Sequence, residues 1–320
     1  MAEDNELKWI SGFWRRIGAF FIDSIILGLV GFGLGLFLED IFVEIGGWGR
    51  LVGFSIALIY FGIMNSRIAN GQTFGKKMLK LRVVSADNKP ISLVKSFGRY
   101  SIIGIPFFLN GVQLPIETTI SFWLYGLSLI IFGGLFSIVY LYVFNRVTRQ
   151  SLHDLVFSTF VVNVGIDNAN IEKIWRPHLI TVGLFFLAAA LVPVYTSSLA
   201  QQEPFSDLIK AHGILLENPL VNNASITYGK SIVNTVKTGT TETTYVKAQI
   251  FLKKNQISNS ELSHKIASAL VKHYKQAIEK DVILINLIYG YDIGISSRWS
   301  TYSHRFNPSD MGVLDNDVAF

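Results

Sequence analysis

The sequence has no cysteine and few charged residues. The absence of cysteine among 320 residues excludes disulfide bridges, thiolate metal sites, iron–sulfur clusters and cysteine nucleophiles. Charged residues make up only 16% of the chain, whereas soluble domains carry about 25%. This shortage excludes an ordinary water-soluble globule. The hydrophobic share of 50% also excludes a disordered chain, which leaves the class of membrane proteins.

The apolar residues are concentrated in five blocks. A transmembrane helix needs about 20 consecutive, mainly apolar residues. The blocks predict spans at about 17–38, 47–66, 100–118 and 120–144, and a fifth span within 165–200, after its cytoplasmic lead-in. The third block is interrupted by the polar or helix-breaking residues Pro106, Asn110, Gln113 and Pro115. It either crosses the membrane or forms a re-entrant segment.

The charges between the blocks predict the orientation. With the N-terminus inside, segments 1–16, 65–99 and 146–177 hold 3, 8 and 4 Lys and Arg residues, fifteen in total. The opposite loops, 39–50 and 110–119, hold only Arg50. Cytoplasmic loops carry the excess of positive charge, so we expect a cytoplasmic N-terminus. Five spans then place 201–320 outside the cytoplasm, whereas four spans would place it in the cytoplasm.

The predicted fold class is an α-helical polytopic membrane protein, with about five transmembrane helices and a C-terminal soluble α+β domain. The chain is predicted to divide into a cytoplasmic N-terminus (1–16), a four-span membrane domain (17–164), the fifth span with its cytoplasmic lead-in (165–200) and the extracytoplasmic α+β domain (201–320). Small residues at Ser198 and Ala200 resemble a signal-peptidase site, so cleavage after Ala200 is an alternative to an uncleaved fifth span. In the last division, alternation at 246–252 predicts a strand, and the spacing of apolar residues at 258–280 predicts a helix. A more continuously apolar run at 282–288 predicts an inner strand, and 292–320 is predicted to be loop and tail.

Asp23 is the deepest charged residue of the first block. It lies seven residues after Arg16, roughly 10 Å further along a helix. A charge there costs about 2.5–3.5 kcal/mol, so the carboxylate needs a partner on another element, or a proton. Two interpretations follow: an ion- or proton-binding group, or a structural anchor. On the same helix Ser24, Gly28, Gly31 and Gly35 form a stripe of small residues, which predicts close approach of another helix.

The basic loop 67–99 contains a glycine-bearing motif. Its residues Gly71, Gln72, Thr73, Gly75 and Lys76 lack the spacing of a nucleotide-binding loop. The segment 73–81 instead has the pattern of a short amphipathic helix, with Phe74, Met78 and Leu81 on one face and lysines on the other. Such a helix would lie on the bilayer surface near anionic lipids.

Together these motifs resemble the RDD family of bacterial membrane proteins, whose name records one arginine and two aspartates. The resemblance rests on Arg16 to Asp23, on the motif at 70–76, on 81–84, and on the segment from Ser151 to Asp154 with 159–162. It implies that Arg16, Asp23 and Asp154 are the named residues, with His153 beside the last of them. It also implies a bacterial inner-membrane protein, and for some members sodium/proton antiport.

Two functions are therefore expected alternatives. In the first, the chain is an ion-coupled transporter in which Asp23 binds the ion or proton, while Arg16 and Asp154 form a charge pair at the cytoplasmic side. In the second, the helices anchor the outer domain, which binds an extracytoplasmic protein or ligand. Because the sequence has no catalytic or nucleotide-binding motif, no enzyme, cofactor or metal is expected. The excess of positive charge lies mostly in one loop of the membrane half, which indicates topology, so no nucleic-acid partner is expected. A homo-oligomer is a further possibility.

Overall fold

The computed structural model describes residues 9–110, 122–166, 171–235 and 239–311. Parts of several predictions therefore lie outside the described residues: the first half of the N-terminal segment 1–16, the end of the third block after residue 110, and the end of the tail. Within the described residues, the N-terminal half is helical with one small sheet, and the C-terminal part is an α+β domain.

The N-terminal half contains eight described helices and two short strands. The helices are α1 (Phe13–Ile45), α2 (Gly49–Met64), α3 (Phe74–Met78), α4 (Leu93–Leu109), α5 (Phe122–Ser128), α6 (Leu135–Phe144), α7 (Leu152–Val156) and α8 (Arg176–Ala200), and the strands are β1 (Leu81–Ser85) and β2 (Thr159–Asn163). A π-helical segment, Leu129–Gly134, joins α5 to α6. The strands pair in antiparallel register, with Val83 opposite Val161.

Three stretches of the described residues are long and apolar enough to cross a membrane: Phe13–Met64, Phe122–Phe144 and Arg176–Ala200. The first folds back on itself at the 3-10 turn Gly46–Trp48. The contact between α1 and α2 shows this, since Phe20 of α1 stacks on Phe61 of α2 with 6.3 Å between the ring centroids. Helix α4, with 17 residues, is not among the three, so the prediction of five spans is not confirmed.

The segment predicted to be an amphipathic helix at 73–81 differs from the prediction. Helix α3 has only five residues, and Leu81 is fully buried in β1 instead of sharing an exposed face with Phe74 and Met78. Phe74 and Met78 are 53% and 70% exposed. The helix stops early because Lys80 adopts a left-handed conformation, with φ of 51°, which leads the chain into the strand.

The C-terminal domain is a four-stranded sheet covered on one face by helices. Its elements are α9 (Phe205–Glu217), β3 (Val221–Thr235), β4 (Gly239–Leu252), α10 (Ser260–His273), β5 (Val282–Asp292), β6 (Ser297–Phe306) and α11 (Pro308–Met311). The strand order is β3-β4-β5-β6, with β4 parallel to β5 and the other neighbours antiparallel. The core lies between the sheet and α9 and α10, where Ile250, Ile266 and Ile285 are fully buried.

The strands predicted at 246–252 and 282–288 appear within β4 and β5. The helix predicted at 258–280 is shorter, because α10 ends at His273 and a 3-10 turn follows at Lys275–Ala277. The prediction of loop over 292–320 was wrong for residues 297–306, which form β6. Most residues of this edge strand are exposed, so its sequence lacks the alternation that marks a half-buried strand.

The turn between β5 and β6 (residues 293–296, called here the β5–β6 turn) lies among α1, α2 and α4. Ile293 is fully buried, and it packs with Phe42 and Val43 near the end of α1. A Cβ atom added at Gly31 would lie 2.7 Å from the Cβ of Ser296, and one added at Gly53 would overlap the carbonyl oxygen of Ile293. The glycine stripe of α1 therefore admits a β-turn, where the sequence predicted another helix.

Candidate functional site: two buried carboxylates at one end of the helices

Asp154 is fully buried between two arginines. Its Oδ2 accepts a hydrogen bond from Arg16 Nη2 at 2.8 Å, and its Oδ1 accepts from Arg99 Nε and Nη2 at 2.9 and 2.7 Å. The hydroxyl of Thr159 donates a further bond to Oδ1 at 2.9 Å. Both guanidinium groups are themselves almost fully buried. The arrangement is a buried ionic cluster with one more positive than negative charge.

Local sequence positions this carboxylate. Ser151 precedes α7, and Asp154 is the third residue of the helix, where its side chain also accepts a bond from the Ser151 backbone N–H at 3.5 Å. This reciprocal arrangement is a capping box, which fixes the first turn of a helix. Burial opposes the ionisation of Asp154. The guanidinium groups of Arg99 and Arg16 outweigh that effect and hold the pKa of this carboxyl well below its usual range.

His153 lies in the same cluster. Its Nε2 is 3.4 Å from Asp154 Oδ2, and its Nδ1 is buried with no hydrogen-bond partner among the described residues. Burial lowers the pKa of His153 to about 3, and repulsion from Arg99 and Arg16 adds to that effect against the attraction of Asp154. The imidazole is therefore neutral near pH 7, and Asp154 relies on the arginines for its counter-charge.

Asp23 lies in α1 and is also fully buried, but its hydrogen-bond partners are neutral. Oδ1 accepts from the Tyr60 hydroxyl at 2.7 Å and from the Gly75 backbone N–H at 2.8 Å. Oδ2 accepts from the Thr73 hydroxyl at 2.5 Å. The carboxylate thus joins α1 to α2 and to the start of α3, where unpaired backbone N–H groups favour an anion.

The glycine-bearing motif forms this partner surface. Thr73 is the N-cap of α3, because its hydroxyl accepts from the Lys76 N–H at 3.3 Å. Gly75 packs directly on the backbone of Ala19, where an added Cβ would overlap the carbonyl oxygen. Gly71 adopts φ of 72° against the backbone of Val83, and Gln72 Nε2 donates to the carbonyl of Leu81 at 2.8 Å.

Lys76 is the cation of the motif. Its Nζ donates to Asn65 Oδ1 at 2.8 Å and lies 3.5 Å from the Thr73 hydroxyl. Burial, followed by repulsion from Arg99, lowers the pKa of Lys76 to about 7. A fraction of this amine is therefore neutral at physiological pH. The hydrogen bonds that Asp23 accepts come from two hydroxyl groups and a backbone amide, none of which is charged.

The structure brings the sequence-predicted residues into two adjacent groups. Arg16, His153 and Asp154 form the ionic cluster, while Asp23 meets Thr73 and Gly75 of the motif. Sequence reasoning missed Arg99 and Tyr60. Arg99 counted only as one of eight positive charges in the loop 65–99, and Tyr60 lay within an apolar block. The described residues contain no group of three or more His, Cys, Asp or Glu side chains that could hold a metal ion.

The fold and these sites define a multi-helix membrane domain stabilised by buried arginine–aspartate contacts. Residues 10–158 match the model of the RDD family. Residues 10–158, just under half of the chain, are therefore similar to an RDD family domain. The chain is also 25% identical over 174 residues to a protein of Bacillus subtilis (strain 168) named "Uncharacterized protein YxaI", and the match covers 48% of this chain and 96% of YxaI. No solved structure matches the chain.

Proposed function

We propose that this protein is a membrane-anchored module, in which the RDD domain holds the α+β domain in a fixed orientation for contact with a protein or another envelope component. The observation that carries the proposal is the position of the β5–β6 turn between α1, α2 and α4. Ile293 and Tyr291 are almost fully buried there, and the hydroxyl of Tyr291 lies where a side chain at Gly35 would be. A domain on a flexible tether would not need this fit.

Five spans and an outer C-terminal domain are part of the proposal. Arg99, early in α4, contacts Asp154 at one end of the helices, whereas Phe108 of the same helix packs near Gly294 at the other end. Helix α1 has 33 residues with a kink at Leu38, and it also runs from the ionic cluster to the α+β domain. The positive charge of the loops favours the cytoplasm for the cluster end. We infer a bacterial plasma-membrane location with the α+β domain outside.

The α+β domain offers a sheet face for a partner. Helices α9 and α10 cover the face that carries Ile250 and Ile285. The opposite face carries Phe251 and Trp299, whose rings meet at 5.3 Å, with Trp299 45% exposed. Strand β6 is also an edge of the sheet, and an edge strand presents unpaired backbone groups that can bind an extended peptide.

The fixed orientation is tested by two alanine substitutions on neighbouring transmembrane helices. Gly53→Ala places a methyl group against the Ile293 carbonyl, whereas Gly33→Ala is the matched control because nothing lies within 4 Å of the added Cβ. Overpacking costs about 1–3 kcal/mol. We expect Gly53→Ala to increase hydrogen exchange at residues 291–296 in the full-length protein, with little change in Gly33→Ala. Rapid exchange of the same amides in the wild-type protein would show that the domain is not held.

Ion-coupled transport is the second candidate, and the observation that favours it is the burial of Asp23 beside the hydroxyl groups of Tyr60 and Thr73. A carboxylate in that position could exchange a proton or a cation. The test is ion flux in proteoliposomes. If transport uses this carboxylate, Asp23→Asn abolishes flux while the protein stays monodisperse. If Asp23 is an anchor, neither protein conducts under any ion gradient, and Asp23→Ala destabilises the fold far more than Asp23→Asn.

A further inference from the structure

A cavity of about 410 Å³ opens where α1 begins and α6 ends. Its lining includes three arginines, Arg16, Arg146 and Arg149, together with the rings of Phe13 and Tyr142. The volume lies within the range of roughly 300–1,000 Å³ that small-molecule pockets occupy. The combination of guanidinium groups and aromatic rings suits a ligand with a compact anionic part and an apolar part.

The charge of this arginine cavity is not neutralised by its surroundings. None of its lining residues, all of which are described, is acidic. The adjacent carboxylate, Asp154, is already paired with Arg16 and Arg99, so that cluster keeps one net positive charge. Arg146 and Arg149 add two more. An anion bound in the cavity would therefore interact with an excess of three positive charges.

One wall of the arginine cavity is preorganised. Arg16 is only 8% exposed and is held by Asp154, by the carbonyl of Arg149 and by the Tyr142 ring, whose centroid lies 5.0 Å from the guanidinium carbon. Arg149 Nη1 donates to the carbonyl of Ser11 at 3.4 Å, and Arg146 is exposed. Two arginines are thus fixed, while a third is free to close on a ligand. One guanidinium group can donate two parallel hydrogen bonds to two oxygens of a phosphate, so phosphate is the anion that fits these arginines.

The surroundings of the cavity are those of a bilayer boundary. Trp14 is 79% exposed beside Phe13, and Phe144 and Val147 are 56% and 45% exposed at and just after the end of α6. Tryptophan concentrates at the level of the lipid headgroups, and arginine is enriched in the cytoplasmic segments next to the membrane. We propose that the arginine cavity binds the phosphate of an anionic phospholipid, with the acyl chains lying along the exposed apolar surface of α6. This site is separate from the basic loop 67–99, where the sequence predicted only general attraction to anionic lipids.

The proposal is tested on the full-length protein in a neutral detergent, by counting bound phosphatidylglycerol in native mass spectra during a lipid titration. Arg146→Glu removes and reverses one charge of the cavity. Because Arg146 is exposed, the variant should fold, which size-exclusion chromatography can check. Loss of one charge-assisted contact weakens binding at least about 10-fold. Arg67→Glu is the matched control, since it reverses an exposed arginine of the basic loop.

We expect the wild-type protein to retain one phosphatidylglycerol, Arg146→Glu to lose it, and Arg67→Glu to keep it. Phosphatidylcholine, with no net charge, should bind at least about 10-fold more weakly than phosphatidylglycerol. Equal losses in both variants would overturn the proposal, because the attraction would then be diffuse. Competition by inorganic phosphate at equal concentration would also overturn it, because the ligand would then be a free phosphate compound.

Discussion

The two ends of α1 are stabilised by different interactions. At the end that holds the ionic cluster, Asp154 and Asp23 are fully buried and receive bonds from arginines, hydroxyls and a backbone amide. At the other end, the β5–β6 turn packs against glycines, and its ion pair, Arg50 with Asp292, is about 30% exposed on each side. Buried polar groups fix geometry at a high cost if one partner is lost, whereas exposed pairs add little to stability.

The largest effect should follow the loss of the Asp154 charge. Asp154→Asn keeps the shape of the side chain but leaves Arg16 and Arg99 buried without a counter-charge, and breaking such a pair costs roughly 3–5 kcal/mol. We expect that loss in the free energy of unfolding, measured by denaturant titration in detergent. Glu242→Gln is the control, since its pair with Lys230 is about half exposed and should be worth at most about 1 kcal/mol. A loss below about 1 kcal/mol in Asp154→Asn would show that the cluster is not a stabilising feature.

The cluster end should also be sensitive to acid. Because the pKa of His153 falls from 6.5 to about 3 on folding, the unfolded chain binds a proton that the folded chain does not. Stability linked to His153 is complete above about pH 6.5 and is lost as the pH falls from there towards 3. The lowered pKa of Asp154 adds a loss only below about 4, in the same direction.

His153→Gln should therefore flatten the decline in stability between pH 6.5 and 4.5, measured as the unfolding midpoint at each pH. His273→Gln, in the α+β domain, is the control and should leave the decline unchanged. If the decline in His153→Gln matches that of the wild-type protein, the imidazole is not buried as a neutral group.

The partners of the buried carboxylates could not be predicted from the sequence, because they are contacts between residues far apart along the chain. The depth of Asp23 predicted that it needed a partner, but Thr73 lies 50 residues further along the chain, and periodicity carries no information on such contacts. Arg99 meets Asp154 across 55 residues, and its position at the end of a basic loop indicated only orientation. The glycine stripe of α1 predicted close packing, and the β5–β6 turn does pack there. The absence of side chains allows either a helix or a turn to approach, so the sequence alone could not tell which of them does.

The apolar patterns were more informative. The mostly apolar run at 282–288 predicted an inner strand, and β5 lies between β4 and β6 in the sheet. The spans predicted at 120–144 and within 165–200 correspond to two of the three stretches of the described residues that are able to span a membrane. The sequence did not predict strand β6, because most of its side chains are exposed and show no apolar alternation. The strand forms by backbone pairing with β5, which the local sequence does not reveal.

The smallest effect should come from the ion pair at the domain end. Arg50 Nε and Nη2 donate to Asp292 Oδ2 at 3.1 and 2.6 Å, while the Gly294 N–H donates to Oδ1 at 2.7 Å. Asp292→Asn removes the charge but keeps an acceptor for Gly294, so it isolates the ionic contribution. In a double-mutant cycle with Arg50→Gln, we expect a coupling of about 0.2–1 kcal/mol, because exposed pairs are screened by solvent. Hydrogen exchange at residues 293–296 gives the local free energy. A coupling above about 2 kcal/mol would mean that charge, and not the fit of the turn against Gly31 and Gly53, holds the domain on the helices.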